Sequence, residues 1–243
     1  MMNKTTLLSA IAVTLLGSAA VLAAQAPQQP MSFFVATNPT GTGNLGGLDG
    51  ADRICQNLAA AAGAGGKTWH AYLSTQARPG QPAVSARTRI GAGPWYNAKG
   101  VMVAANVAGL HGDQVRDSNN IQRITSLDEK GNEIHGFGSP QGVQNEHDAM
   151  TGSDADGRAF TDGIDHTCNN WTSDQMTMPA GGGGGNANGV QVPPDRARAM
   201  LGHIDRSGGG NTSWNAAHMS QGCSKQALIN TGGSGRFYCF AIN

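Results

Sequence analysis

The four cysteines of this 243-residue chain constrain its fold most strongly: Cys55, Cys168, Cys223 and Cys239. No two of them have the Cys-x-x-Cys spacing, which argues against a zinc ribbon and against thioredoxin-type redox chemistry. In an oxidising compartment an even number of cysteines favours disulfides, here two. Four cysteines allow three pairings, and their spacing alone does not select one.

The beginning of the chain predicts export. Residues 1–24 have the pattern of a secretory signal peptide, with Lys4 before an apolar run over residues 7–22 and cleavage after Ala23 or Ala24. Residues 25–30 are rich in Gln and Pro and predict a short disordered leader. No later segment has the length of a membrane span, so we expect a periplasmic, cell-surface or secreted protein without membrane insertion.

The composition predicts a loop-rich domain and argues against electrostatic binding to nucleic acid or to an anionic membrane. Glycine accounts for 36 residues, and the 16 basic residues are balanced by 16 acidic ones. Binding to nucleic acid or to an anionic membrane needs a concentrated excess of Lys and Arg, which is not present. Residues 31–243 contain no internal linker and are expected to form one domain.

The first half of this domain predicts a strand, a helix and a second strand. Residues 32–36 suit a strand, and the apolar residues between Asp49 and Gly63 recur with helical spacing. Asp49 is the expected N-cap, and Cys55 falls on the apolar face of the helix. Residues 68–73 alternate in polarity and predict a strand that buries Trp69.

The remaining elements are strands separated by long loops. Residues 95–103 predict a hairpin, residues 124–131 predict another, and residues 236–242 are apolar on both faces, which indicates a central strand. Residues 135–167 and 174–196 are expected to be irregular, the second containing a surface insert of five glycines.

Several phrases of the sequence, in this order, resemble the C-type lectin-like fold, and within it the endostatin branch and its exported bacterial relatives. They span about residues 33–243 and comprise Gly50-Ala51-Asp52-Arg53-Ile54-Cys55, Trp69-His70-Ala71-Tyr72-Leu73-Ser74, Asn97-Ala98-Lys99-Gly100, Gly152-Ser153-Asp154, Gly157-Arg158, Cys168-Asn169-Asn170-Trp171, Gly222-Cys223 and Phe237-Tyr238-Cys239.

The resemblance implies an α+β fold with one main N-terminal helix, a small mixed or antiparallel sheet, long irregular loops and two nested disulfides. The implied pairs are Cys55 with Cys239 and Cys168 with Cys223. It also implies a binding module that recognises an extracellular protein or glycan through its loops, with an adhesin-like role and no catalysis. The residues proposed to contact the ligand are Arg158, Asp162, Asp165, His166 and Asn215.

The sequence departs from the family's calcium-dependent sugar site. Trp214-Asn215-Ala216 lacks the carboxylate of the family's Trp-Asn-Asp motif, and no Glu-Pro-Asn or Gln-Pro-Asp tripeptide occurs. Trp214 is therefore expected in the core. Asp154 and Asp156 could contribute to an irregular calcium site, but a solvated turn is the favoured interpretation.

An enzyme or metal-dependent protein using residues 135–166 is the main alternative, and a structural envelope component is another. No nucleophile motif is present, and no two of the seven histidines have the short spacing of zinc ligands. His111 with Asp113, or His147 with Glu146 and Asp148, could contribute to a site, although histidines in polar loops are expected to be solvated. Arg87 and Arg89 are expected on a solvated edge strand.

Overall fold

The computed structural model describes residues 29–115, 118–176, 197–208 and 211–243. The predicted signal peptide, most of the leader and the five-glycine insert lie outside these residues. None of the described helices is long and apolar enough to cross a membrane.

The described residues form a mixed α+β fold. In chain order the elements are β1 (Phe33–Ala36), α1 (Gly47–Ala61), β2 (Trp69–Ala71), a 3-10 helix (Ala86–Thr88), β3 (Trp95–Tyr96), β4 (Met102–Ala104), α2 (Val107–His111), β5 (Asp148–Met150), α3 (Cys168–Trp171), β6 (Met200–His203), β7 (His218–Met219), α4 (Lys225–Thr231) and β8 (Gly233–Ala241).

The last strand organises the main sheet, as its apolar sequence predicts. β8 pairs antiparallel with β1 and β2 and parallel with β5, and the sheet continues through β6 to β7. Successive side chains of β8 point to opposite faces, so Cys239 enters one apolar cluster and Phe240 enters another. Both faces of the sheet are therefore covered here, which explains why β8 is apolar from Phe237 to Ala241.

Helix α1 covers one of these faces. Ala51, Cys55 and Ala59 are buried in the same cluster as Trp69, which confirms the predicted apolar stripe. The helix begins at Gly47, with Gly46 at the N-cap, so the prediction of Asp49 as N-cap is wrong. Gly46 has a φ of 76°, which suits glycine. Asp49 lies in the first turn, where a carboxylate is still favoured by the helix dipole.

Two disulfides join distant parts of the fold. Cys55 on α1 is bonded to Cys239 on β8, and Cys168 on α3 is bonded to Cys223. These are the two nested pairs that the family resemblance implies. The outer bond fixes the helix to the central strand, and the inner bond fixes α3 to the segment that precedes α4.

The predicted hairpin over residues 95–103 is confirmed as the β3–β4 pair, but a second hairpin and one irregular stretch were predicted wrongly. Residues 124–131 contribute only an isolated bridge from Leu127 to Glu133, and the carbonyl of Leu127 accepts a hydrogen bond from the amide of Val35. Residues 135–167 were expected to be irregular throughout, yet they contain β5, which is held between β6 and β8.

The paired arginines do not form an edge strand. Arg87 lies in the 3-10 helix and forms an ion pair with Asp113 at 2.7 Å. Arg89 forms an ion pair with Asp52 of α1, also at 2.7 Å. The other oxygen of Asp52 accepts the amide of Ala71, so this pair links α1 to β2. Each guanidinium thus stabilises a different contact within the fold.

Candidate functional site

The predicted ligand residues lie in separate local contacts. Arg158 and Asp156 form an exposed ion pair, and Asp162 is hydrogen-bonded to the largely buried His166 at 2.8 Å. The ring of His166 stacks on Phe160, with centroids 3.8 Å apart. His166 is therefore packed into the protein rather than displayed on a loop.

Asp154 and Asp165 stabilise the backbone of their own loops. Oδ1 of Asp154 accepts the amides of Asp156 and Arg158, as in the solvated-turn interpretation. Asp165 accepts the amide of Thr167 with one oxygen and the amide of Asn169 with the other. These carboxylates shape the loops from which the candidate site is built.

Asn215 is buried in a polar network. Its Nδ2 donates to the hydroxyl of Tyr72 at 3.0 Å and to the carbonyls of Asp154 and Ala155 at 3.2 Å. Burial raises the pKa of Tyr72, which keeps its hydroxyl protonated, and this hydroxyl donates to Nε2 of His111. Asn215 thus holds together three parts of the chain, and neighbouring Trp214 lies in the core as predicted.

Replacing Asn215 by alanine is expected to destabilise the fold. The Tyr72 hydroxyl and two carbonyls would lose a donor in a buried environment, which should lower the free energy of unfolding by about 1–3 kcal/mol. Urea denaturation measures the effect, with Asn230→Ala on the exposed face of α4 as control. Unchanged stability combined with loss of ligand binding would instead make Asn215 a ligand contact.

A cleft lined by both polar and apolar residues lies where the loops meet the start of α1. It has a volume of about 450 Å³, and its lining includes Asp49, Arg78, Gln81, Val84, Asn169 and Asn170. Nη2 of Arg78 donates to Oδ1 of Asn169 at 2.6 Å across this cleft. The cleft therefore contains a guanidinium, an amide and a carboxylate group, from Arg78, Asn169 and Asp49.

One wall of the cleft is a strained turn. Cys168, Asn169, Asn170 and Trp171 have φ values of 48°, 59°, 54° and 65°, so α3 is a single left-handed turn. Left-handed backbone costs non-glycine residues roughly 1–2 kcal/mol each. Asp165 and the inner disulfide hold the turn, and Nε1 of Trp171 donates to the carbonyl of Ser74. Strain maintained in this way is typical of functional sites.

A second group of polar residues is buried at the end of the main sheet. His147, Asp148 and His203 could hold a metal ion, since one donor atom from each lies within 4.8 Å of the others. His218 lies beside them, with its Nε2 2.9 Å from Nε2 of His203. The expectation of solvated loop histidines is wrong for His147 and His203, because the pairing of β5, β6 and β7 brings them into the fold.

Burial and neighbouring charges set the protonation of this group. Burial lowers the pKa of His203 to about 4. Burial also acts to lower the pKa of His218, but the carboxylate of Asp148 outweighs it and raises that pKa. For Asp205, burial acts to raise the pKa, but hydrogen bonds from His147, Ser207 and Phe137 outweigh it and hold the pKa well below its usual range.

The sequence predicted only part of these two sites. His147 and Asp148 were named as candidates, whereas His203, His218 and Asp205 were not connected with them. In the cleft, the sequence Cys168-Asn169-Asn170-Trp171 indicated only the resemblance to the C-type lectin-like fold, not a site.

In comparisons with known proteins, no protein-family model and no curated protein matches the chain. Its function therefore has to be inferred from this geometry.

Proposed function

We propose that this chain is an exported, non-catalytic binding module on a C-type lectin-like scaffold. It recognises an extracellular glycan or protein through the cleft beside α1. The α+β architecture, the two disulfides and the long loops support this proposal, as does the signal-peptide pattern of residues 1–24.

The observation that carries the proposal is the left-handed turn at residues 168–171, which lines the cleft. Asparagine tolerates this conformation better than most residues, whereas Cys168 and Trp171 are held in it by the inner disulfide and by burial in the core. The turn places the side-chain amide of Asn169 at the cleft, where its Oδ1 accepts from Arg78, while the amide of Asn170 is bonded to the backbone of Gln76.

The chemistry of the cleft favours a hydroxyl-rich ligand that carries a carboxylate or sulfate. Arginine presents several donors in a planar fork that suits either anion, and asparagine amides both donate to and accept from hydroxyl groups. Val84 and Pro82 add a small apolar surface for the ring face of a sugar. An acidic glycan is therefore the favoured ligand, and an acidic protein loop is the alternative.

Arrays of glycans and matrix proteins test this function. The refolded mature domain is expected to bind acidic glycans, and Arg78→Ala should weaken binding about tenfold or more, since hydrogen bonds to a charged group contribute about 1.5–3 kcal/mol. Arg123→Ala, a matched control at an exposed position outside the cleft, should bind like the unaltered protein.

Two results would contradict the proposal. One is an absence of binding to every glycan and matrix protein by a correctly disulfide-bonded domain. The other is equal loss of binding in the Arg78 and Arg123 variants, which would indicate nonspecific attraction to positive charge. Repeating the array with EDTA shows whether recognition itself depends on a metal ion.

A further inference from the structure

The register of the main sheet places three polar residues of this group on one face. Asp148 lies directly opposite His203 in the antiparallel pair of β5 and β6. His218 lies opposite Leu201, two residues before His203 on β6. Residues two apart on a strand share a face, so Asp148, His203 and His218 point the same way. His147 precedes β5 and joins them from the adjacent loop.

Three imidazole nitrogens surround one carboxylate oxygen. Oδ1 of Asp148 lies 3.3 Å from Nε2 of His147, 3.4 Å from Nε2 of His203 and 3.5 Å from Nε2 of His218. The Asp148 side chain is only 1% exposed, yet neither of its oxygens has a hydrogen-bond partner in the described part of the protein. A buried carboxylate without a partner lowers the stability of the fold unless a cation binds to it.

Hydrogen bonds at Nδ1 of His147 and of His218 leave the lone pair of each Nε2 directed toward Asp148. Nδ1 of His147 donates to Oδ1 of Asp205 at 3.2 Å, and Nδ1 of His218 donates to the carbonyl of Met219 at 3.3 Å. In a neutral imidazole the other nitrogen, Nε2, is then an acceptor. These two acceptors face a carboxylate, which is also an acceptor. Such an arrangement is repulsive without a cation between them.

The charges of the group also call for a cation. Asp148 and Asp205 are both buried, and the only basic groups within 4.0 Å of their carboxylates among the described residues are imidazoles. A divalent cation bound between these side chains would balance the two carboxylates.

We propose that His147, Asp148, His203 and His218 bind one divalent transition-metal ion of the zinc class. The ligands are Nε2 of each histidine and a carboxylate oxygen of Asp148. Asp205 is a positioning residue, because its hydrogen bond with Nδ1 of His147 orients that ring toward the ion.

The separations between donor atoms match this kind of ion. Zinc binds nitrogen and oxygen at about 2.0–2.2 Å in a tetrahedron, which places neighbouring donors about 3.3–3.5 Å apart. The three distances to Oδ1 of Asp148 fall in this range, and the two Nε2 atoms at 2.9 Å need to separate only slightly. Calcium prefers six to eight oxygen ligands, so a set dominated by imidazole excludes it as the preferred ion.

The role of the ion follows from its ligands. Four protein donors fill a tetrahedral shell, which is the arrangement of structural zinc sites, whereas catalytic sites keep a position for water or substrate. The ligands come from β5, β6, β7 and the residue before β5. The ion therefore acts as a crosslink at the end of the sheet, separate from the recognition cleft and independent of its ligand.

Metal binding by the tag-free mature domain tests the proposal. After removal of metals, the unaltered protein is expected to take up one zinc ion per chain, measured by mass spectrometry of the metal and by competition with a chromophoric chelator. His203→Ala and His218→Gln should each weaken zinc binding by more than about 100-fold, since loss of even an indirect partner costs 10- to 100-fold. His135→Ala, a change at an exposed histidine outside the group, should bind like the unaltered protein.

His218 is the most exposed of the four ligands, so His218→Gln keeps the test valid even when His203→Ala does not fold. Circular dichroism and a disulfide map verify folding of each variant. The proposal is overturned when the unaltered protein binds zinc no more tightly than the folded His218→Gln variant. Equal weakening in the His135 variant would also overturn it.

Asp205→Asn tests the positioning role. Asparagine can still accept from His147 but lacks the charge, so zinc binding should weaken by about 10- to 100-fold. The visible spectrum of the cobalt-loaded variant should remain that of a tetrahedral ion, since all four ligands are kept. Unchanged zinc affinity would show that Asp205 does not position His147 for metal binding.

Discussion

Replacing both Cys55 and Cys239 by serine is expected to lower the free energy of unfolding by about 5 kcal/mol. The bond spans 184 residues of sequence, and the entropy that a crosslink removes from the unfolded chain grows with the length of the closed loop. The inner pair, Cys168 and Cys223, spans 55 residues, and the same relation gives about 4 kcal/mol for its loss.

Most domains have a total stability of about 5–15 kcal/mol, so the outer double variant should lose about a third or more of its stability and unfold at a much lower urea concentration. Urea denaturation of the two double-serine variants, compared with the unaltered protein, measures both effects. A smaller loss for the outer pair than for the inner pair would contradict this ranking. It would show that native contacts around the bonds matter more than the loop lengths.

Zinc loading is expected to raise the melting temperature of the mature domain. At a free zinc concentration 100 times the dissociation constant, an ion that binds only the folded state adds about 2.7 kcal/mol. For a domain of this size each kcal/mol corresponds to roughly 2–4 °C, so a rise of roughly 5–11 °C follows. The rise should be reversed by EDTA, because removal of the ion leaves the carboxylate of Asp148 without a buried partner.

Calcium and the His218→Gln variant provide the controls for this measurement. Calcium at the same concentration should leave the melting temperature unchanged, as should zinc added to His218→Gln. Stabilisation by calcium comparable to that by zinc would contradict the imidazole-rich ligand set. A full zinc effect in the variant would place the ion elsewhere.

The parts of the fold that were predictable depend on local sequence patterns. The spacing of Ala51, Cys55 and Ala59 predicts α1, and the unbroken apolar run around Phe240 predicts a central strand. The N-cap of α1 was misplaced by three residues, since the N-cap is Gly46 in left-handed conformation and not the side-chain cap expected at Asp49. Local patterns do not determine such conformations.

The candidate sites were harder to predict because distant segments build them. His203 and His218 come within 3.5 Å of Asp148 only through the pairing of β5, β6 and β7, and each of these strands is two to four residues long. Strands this short leave almost no periodicity in the sequence. The buried network of Asn215 was not predictable for a related reason, since its partners Tyr72 and Asp154 lie 143 and 61 residues away in sequence.

Anomalous diffraction at the zinc absorption edge tests the metal centre most directly. Crystals of the zinc-loaded mature domain should give one strong anomalous peak per chain, bounded by Nε2 of His147, His203 and His218 and by a carboxylate oxygen of Asp148. The ligand distances should be about 2.0–2.2 Å. A map without a peak among these four side chains, from a protein with both disulfides formed and zinc in excess, would contradict the proposed centre.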